Sequence, residues 1–272
     1  MGNNPGKILF SIDLEEFDIP GEYGLDLPLQ TKLEVSLRGM QALEALMDRY
    51  QVRGTLFTTA FWAQHYPDYV RRLSERHEIA SHTFYHNRFE AADLARSREV
   101  LTAITGKEVT GLRMPLMQEI DTTAVAAAGY TYDSSLHPTW LPGRYNHLKA
   151  SRTLYAREDL WILPASVTPL LRLPVFWLML KNMPISLYKL LCRRILIKDG
   201  YIVLYVHPWE FTDLSTYPLP SLIKRKDGGK LLSKLEALFA YFSKVGCTFE
   251  THASFIKSRT GVPQAIPSES HY

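Results

Sequence analysis

Polar residues that can bind a metal or move protons follow several short apolar runs in this sequence. Asp13 and Glu15 follow the first run, and His82 and His86 lie four residues apart after the third. His207 follows a later run that is almost wholly apolar. Two imidazoles and one carboxylate form a facial ligand set that leaves positions open for water and substrate. The pattern therefore predicts a divalent metal site.

The carboxylates come from the segment Asp13-Leu14-Glu15-Glu16. In an extended strand, residues 13 and 15 point to the same side, so both side chains can reach one metal centre. One of them would bind the metal and the other would accept a proton from its water. The competing interpretation is a solvated acidic loop at the start of a helix.

The histidines have structural interpretations as well as catalytic ones. If the chain forms a helical loop after the strand, His82 and His86 project from one face. His207 could be a hydrogen-bonded core residue, but beside a metal site it is a candidate general acid. Arg113 and Asp133 are candidate partners, because a carboxylate orients a histidine and an arginine keeps a carboxylate ionised. Taken singly, each of these two would be an ordinary ion-pair residue.

Short apolar segments alternate with helical patterns along the chain. Many of the segments are apolar at consecutive positions, as in a parallel sheet covered on both faces. Strand–helix alternation predicts an α/β barrel or an open doubly wound sheet, and in both the functional groups gather at the carboxyl ends of the strands. The predicted strands are Lys7–Asp13, Gly54–Ala60, Glu78–His82, Gly111–Pro115, Thr131–Ser135, Trp161–Ser166, Tyr201–His207 and Cys247–Thr251, and the predicted helices are Lys32–Tyr50, Glu90–Thr105 and Lys230–Val245.

Composition limits the class of protein. The chain has 272 residues, 46% of them apolar, and a net charge of +3. We expect one globular domain over residues 1–260 and no nucleic-acid binding, since only short basic clusters occur. Two cysteines form no disulfide framework, and the polar start leaves no room for a signal peptide, so we expect a cytoplasmic protein. Residues 261–272, rich in Pro and Ser, predict a loose tail.

One region, about 163–198, departs from the alternation and predicts an apolar insertion interrupted by prolines. Its unbroken apolar stretch is far shorter than the roughly 20 residues that a membrane-spanning helix needs. It could be a cap packed on the barrel. Alternatively, it offers an apolar surface for a lipid-linked substrate or for peripheral contact with the inner face of a membrane.

Four motifs, in this order along the chain, resemble the polysaccharide deacetylase (NodB-like) family. The resemblance covers roughly Ile8 to Thr251 and is closest to the branch associated with bacterial surface-polysaccharide synthesis. The motifs are Glu-Ile-Ala-Ser-His-Thr-Phe-Tyr-His, Leu-Arg-Met-Pro, Gly-Tyr-Thr-Tyr-Asp-Ser-Ser and Tyr-Val-His-Pro-Trp-Glu.

The resemblance implies a distorted (β/α) barrel of about seven strands and a divalent metal, commonly zinc. The roles it implies are Asp13 as general base, His82 and His86 as metal ligands, His207 as general acid, Arg113 as support for Asp13, and Asp133 as the group that tunes His207.

Three departures from the family pattern affect the predicted site. Leu14 replaces the aspartate that usually binds the metal, so we assign Glu15 as the third ligand, with Glu16 as the alternative. Met117 replaces a glycine after the Arg-x-Pro motif, and Leu136 replaces a tryptophan. The candidates for that tryptophan's role are Trp140, Trp161 and Trp209, and the predicted substrate contacts are Pro115, Leu116 and Trp209.

These residues predict a metal-dependent hydrolase, and the resemblance implies that it removes the N-acetyl group from a sugar of a polysaccharide or glycolipid precursor. A close alternative is a deformylase or another amidase acting on a lipid-linked aminosugar. An alternative of another class is a catalytically inactive module that binds glycans.

Overall fold

A computed structural model describes residues 6–143 and 145–261. The strands within this part of the chain are β1 (Lys7–Leu14), β2 (Thr55–Thr58), β3 (Glu78–Ser81), β4 (Gly111–Leu112), β5 (Tyr132–Asp133), β6 (Trp140–Leu141), β7 (Tyr145–Asn146), β8 (Tyr155–Arg157), β9 (Leu160–Ile162), β10 (Tyr201–Val206) and β11 (Thr248–Phe249). The helices are α1 (Leu29–Arg49), α2 (Ala60–His65), α3 (Pro67–Ser74), α4 (Ala92–Thr105), α5 (Thr122–Ala127), α6 (Trp177–Asn182), α7 (Ile185–Asp199), α8 (Ser221–Lys224), α9 (Gly228–Lys244) and α10 (His252–Thr260).

The main sheet runs in the order β10-β1-β2-β3-β4-β5-β9-β8, with β11 also paired to β1. From β10 to β9 every neighbouring pair is parallel, and β8 is antiparallel to β9. The curled sheet is closed by the segment after β9, where Ser166 N–H donates to the Val203 carbonyl of β10 at 3.2 Å. The result is a distorted (β/α) barrel, as predicted, and each of the eight predicted strands overlaps an observed one.

The alternation of side chains along β1 determines what reaches the mouth of the barrel. Its even-numbered residues face the surrounding helices; Phe10, for example, meets Phe239 of α9 edge to face at 5.1 Å. Its odd-numbered residues face the barrel interior, where Leu9 packs with Phe57 and other apolar side chains. Because the period of a strand is two, Asp13 extends this interior row to the carboxyl end.

One prediction was wrong: residues 163–198 do not form a separate apolar insertion. They contain the β9–β10 connection, and α6 and α7 pack on the same core as the rest of the barrel. Pro184 is the N-cap of α7, a position where proline is tolerated, and Pro164, Pro169 and Pro174 lie in the irregular segment between β9 and α6. The predicted tail lies almost wholly outside the described residues. Within the described ranges, no helix is long and apolar enough to span a membrane.

Candidate functional site

A cavity of about 290 Å³ opens at the carboxyl ends of the barrel strands. Its polar floor contains Asp13, Glu15, His82, His86 and His207, the five residues that the sequence predicted to converge. Most of the remaining wall is apolar or aromatic, and its residues are Ile19, Tyr23, Leu116, Met117, Leu141, Phe176, Trp177, Leu178, Tyr205, Trp209, Pro220, Leu222 and Ile223.

Glu15, His82 and His86 form the polar centre of this cavity. Glu15 Oε2 lies 3.1 Å from His82 Nε2 and 3.0 Å from His86 Nε2. One ligand atom from each of the three residues lies within 4.8 Å of the others, which is compact enough to surround one metal ion. The two imidazole rings are nearly parallel, with centroids 5.9 Å apart and planes 25° apart.

A sharp turn, rather than the expected helical loop, brings the two histidines together. His82 follows β3 directly, and Thr83 then has a φ of 62°, a left-handed conformation that is unusual for a residue other than glycine. Ser81 Oγ accepts a hydrogen bond from Thr83 N–H, and the Thr83 hydroxyl donates to the Tyr85 carbonyl at 2.9 Å. These bonds hold the reversed backbone that presents His86 to the cavity.

The three side chains suit a divalent metal by chemistry as well as by position. His82 Nδ1–H donates to the Arg113 carbonyl at 2.8 Å, which leaves the lone pair of Nε2 directed at the cluster. A backbone carbonyl on the far nitrogen is the usual way in which a metal-binding histidine is oriented. Trp209 Nε1–H donates to the other oxygen of Glu15, Oε1, at 3.2 Å and so fixes the carboxylate. Glu16 instead accepts the Thr59 hydroxyl at 2.8 Å and stands outside the cluster.

The histidines around Glu15 keep its carboxylate ionised. Burial would raise the pKa of this carboxyl, but His86, His207 and His82 together lower the pKa to about 2. Glu16, only one residue further, has no such neighbours, and burial raises its pKa to about 8. Adjacent glutamates thus differ in charge near neutral pH, and only Glu15 offers an anionic oxygen to a cation.

Asp13 is held by a fully buried arginine. Arg113 Nη1 donates to Asp13 Oδ1 at 2.6 Å and to the Ser11 hydroxyl at 2.9 Å. Its Nε and Nη2 donate to the carbonyl and hydroxyl oxygens of Ser134. The guanidinium also covers the face of the Phe57 ring at 4.0 Å. Arg113 therefore fixes one oxygen of Asp13 and leaves the other directed towards His207.

His207 lies opposite Asp13, with Nε2 3.9 Å from Asp13 Oδ2. Its ring stacks on Trp209 at 5.1 Å and meets Trp177 edge to face at 5.4 Å. Burial works against a charge on this histidine, but the neighbouring carboxylates outweigh it and raise its pKa to about 9. The neighbouring carboxylates therefore stabilise the protonated form of this side chain.

The predicted contact between Asp133 and His207 is not found. Asp133 Oδ1 accepts the backbone N–H of Ser135 at 2.9 Å and also its hydroxyl. Ser135 Oγ in turn accepts Met114 N–H at 2.8 Å, so Asp133 braces the segment after Arg113. Burial raises the pKa of Asp133 to about 6, although the Ser135 bonds oppose the rise. The nearest carboxylate to His207 Nδ1 in the described structure is that of Glu210, at 3.0 Å.

The three predicted substrate contacts occupy different places. Pro115 is buried and begins a 3-10 turn over residues 115–117. Leu116 lines the cavity with a φ of 56°, and Met117 follows with a φ of 55°. Two consecutive left-handed residues store strain, a feature that clusters at functional sites. Trp209 also lines the cavity, where it contacts both Glu15 and His207.

Sequence analysis missed two buried charges and one aromatic wall. Glu210 and Lys181 are both fully buried behind His207. Phe176 and Trp177 line the cavity from the segment that was expected to form an insertion. Glu210 ends the His-Pro-Trp-Glu motif, three residues after the histidine, and that spacing is the one signal that could have identified it.

Comparison with known proteins relates part of the sequence to one protein family. Residues 38–133 match the family model described as polysaccharide deacetylase. None of the curated protein sequences matches the chain. The resemblance predicted from the sequence is thus confirmed by a match over the segment that contains both cluster histidines.

Solved structures share the fold over almost the full length. A candidate polysaccharide deacetylase from Mycobacterium smegmatis has a TM-score of 0.65 at 17% identity, over 97% of this chain and 94% of that one. A probable polysaccharide deacetylase from Pseudomonas aeruginosa PAO1 has a TM-score of 0.61 at 16% identity, over 95% and 93%. The PuuE allantoinase has a TM-score of 0.60 at 17% identity, over 97% and 93%. At such identities the likeness shows the fold alone.

Proposed function

We propose that this protein, whose residues 38–133 match the polysaccharide deacetylase family, is a metal-dependent carbohydrate N-deacetylase. One observation supports this most strongly: Glu15, His82 and His86 converge in the cavity that Asp13 and His207 also line. The substrate is an N-acetylated saccharide of a polysaccharide or glycolipid precursor. Water supplies an oxygen to the released acetate, and the sugar retains a free amine.

Asp13 is the general base in this proposal and His207 is the general acid. A divalent cation at the three ligands, with zinc expected, supplies Lewis-acid chemistry, since it makes water more acidic and polarises an amide carbonyl. Asp13 accepts the proton that the attacking water loses, while Arg113 keeps its other oxygen in place. His207 Nε2 delivers a proton to the departing nitrogen. An amide needs this proton because the nitrogen would otherwise have to leave as an amine anion, which is a very poor leaving group.

Leu116 supplies a further donor for the developing negative charge on the amide oxygen. Its backbone N–H has no hydrogen-bond acceptor among the described residues, whereas the N–H groups of Met117 and Gln118 close the 3-10 turn. A backbone N–H held in place by a strained turn costs little reorganisation when charge develops. The side chain of Leu116 lines the cavity, which brings this donor to the rim of the site.

A lipid-linked aminosugar is a second candidate substrate, and the apolar wall favours it. Phe176, Trp177 and Leu178 offer few hydrogen bonds to sugar hydroxyls but suit a hydrocarbon chain. The turn just before them exposes Leu170 and Leu171 by 91% and 75%, which would suit peripheral contact with the inner face of a membrane. The acyl group on such a substrate could be formyl instead of acetyl, and a cytoplasmic location would fit this variant.

Zinc-loaded protein incubated with N-acetylated sugars tests the proposal. We expect acetate and free amine in equal amounts, and we expect His82→Ala to lose both bound zinc and turnover. His65→Ala is the matched control, because His65 lies exposed on α2 away from the cavity. Parallel assays with N-formyl sugars and with lipid-linked substrates decide the acyl group and the acceptor. Zinc-loaded protein that binds glycans without releasing an acyl group from any of them would replace the enzyme with a binding module.

A further inference from the structure

The buried carboxylate of Glu210 holds His207 by two hydrogen bonds. Glu210 Oε1 accepts the His207 side-chain Nδ1–H at 3.0 Å and the His207 backbone N–H at 2.9 Å. Its second oxygen, Oε2, has no hydrogen-bond partner among the described residues. Because Nδ1 is occupied by Glu210, Nε2 is the nitrogen that faces Asp13 and the cavity.

A buried lysine stands behind this carboxylate. Lys181 Nζ lies 3.8 Å from Glu210 Oε2, and neither side chain is exposed to solvent. Lys181 comes from α6, and its ammonium group also donates to the Ile223 carbonyl. Burying an ion pair costs several kcal/mol of desolvation per ion, roughly offset by mutual attraction, so such a pair adds little net stability. Its position directly behind a candidate acid is better explained by what it does to His207.

Resting on the proposed function, we propose that Glu210, with Lys181 behind it, is the positioning residue for His207. Glu210 fixes the proton of His207 on Nδ1 and the plane of the ring, and thereby presents Nε2 to the leaving nitrogen. This is the role that the family resemblance implied for Asp133, whose carboxylate is instead bound to Ser135. Lys181, 3.8 Å from Glu210 Oε2, holds this carboxylate in place.

The test compares two leaving groups in zinc-loaded protein. Glu210→Gln keeps the shape of the side chain and removes its charge. We expect kcat for an N-acetylated sugar to fall about 10- to 100-fold, the usual loss on removing such an outer partner, with KM and zinc content unchanged. Hydrolysis of 4-nitrophenyl acetate should be unaffected, since 4-nitrophenolate leaves without protonation. An equal loss on both substrates, or no loss on the amide, would overturn the inference.

A double variant and a spectroscopic measurement separate this role from a structural one. Lys181→Met with Glu210→Gln removes both charges, so no unpaired ion is left buried and folding is preserved. Long-range ¹H–¹⁵N spectra of zinc-loaded protein should show His207 protonated at Nδ1 in the wild type and a changed Nδ1 signal in Glu210→Gln. An unchanged signal would refute the positioning role.

Glu78→Gln is the matched control, because Glu78 is an enclosed carboxylate at the opposite end of the sheet. It should alter neither the leaving-group pattern nor the His207 signal. Wild-type protein that hydrolyses neither substrate would instead disprove the proposed function, and the inference would fall with it.

Discussion

Glu15 and Glu78 are enclosed carboxylates at opposite ends of the same parallel sheet. Glu15 follows β1 at the carboxyl end, where two imidazole nitrogens lie about 3 Å from one of its oxygens. Glu78 begins β3 at the amino end, where it accepts hydrogen bonds from the Thr55 hydroxyl, the Tyr132 hydroxyl and Ala253 N–H. Burial raises the pKa of Glu78, whereas the histidines lower that of Glu15.

The difference lies in what each carboxylate can still bind. The neighbours of Glu78 are hydrogen-bond donors that saturate it, so the carboxylate ties β2, β3, β5 and α10 together. The histidines beside Glu15 are themselves candidate metal ligands, and both face a cavity. The same residue type therefore ties strands together at one end of the barrel and lines the candidate site at the other, as expected for barrels of parallel strands.

Substitution of Glu15 should have the largest effect on bound zinc and on kcat. Glu15→Gln should lose bound zinc and lower kcat by more than the roughly 100-fold that loss of an outer partner costs, because a neutral amide is a poor ligand. Glu78→Gln should leave both unchanged. Zinc content and kcat of the two purified variants, measured side by side, check this. The contrast between the two ends breaks down if Glu78→Gln also loses zinc.

Asp13→Asn should show the next largest effect. The amide cannot accept the proton of the attacking water, so we expect kcat to fall about 10²- to 10⁴-fold, the range for loss of a general base. Zinc content should stay at the wild-type value, since Asp13 is not part of the ligand cluster. Steady-state kinetics with metal analysis measure both quantities. Loss of zinc from this variant would make Asp13 a ligand and not the base.

Substitution of the amino-end carboxylate should affect the free energy of unfolding more than it affects turnover. Glu78→Leu removes the acceptor for Thr55, Tyr132 and Ala253 N–H, which should lower the free energy of unfolding by about 1–3 kcal/mol. Turnover per folded molecule should be unchanged. Urea unfolding together with kcat at low temperature separates the two effects. Reduced kcat in fully folded Glu78→Leu protein would assign a catalytic role to the amino end as well.

The pH dependence of stability should have opposite signs at the two ends. Burial lowers the pKa of His77, at the amino end, to about 4. The contribution of His77 to the free energy of unfolding is therefore lost as the pH falls from about 6.5 towards 4. The pKa of His207 is raised to about 9. Its contribution to the free energy of unfolding is therefore fully present below about pH 6.5 and is lost as the pH rises through 9. Each histidine changes the free energy of unfolding by at most about 1.4 kcal/mol per pH unit.

Unfolding of metal-free protein at a series of pH values checks this prediction. His77→Gln should flatten the acid side of the stability profile, and His207→Gln should flatten the alkaline side. If both variants change the same side, the electrostatic contrast between the two ends is wrong.

Much of the site could be predicted because its residues follow strands. A period of two along β1 places Asp13 on the interior row, and the apolar character of the strands indicates where each one ends. His82 and His207 could be placed at the mouth of the barrel in the same way, since each directly follows a strand of the sheet.

Other features depend on contacts between segments that are distant in sequence. Lys181 reaches Glu210 only because α6 packs beside β10, and a run interrupted by prolines gave no sign of that packing. Ser135, two residues after Asp133, satisfies that carboxylate locally and so prevents the pairing that the resemblance implied. The turn at Thr83 was missed because a positive φ at threonine has no sequence signal.

Anomalous diffraction at the zinc edge, from crystals of the zinc-loaded protein, tests the central claim most directly. We predict one strong peak at the mouth of the barrel, about 2.0–2.2 Å from Glu15 Oε2, His82 Nε2 and His86 Nε2. A zinc-loaded, active protein with its peak elsewhere, or with no peak, would contradict the account.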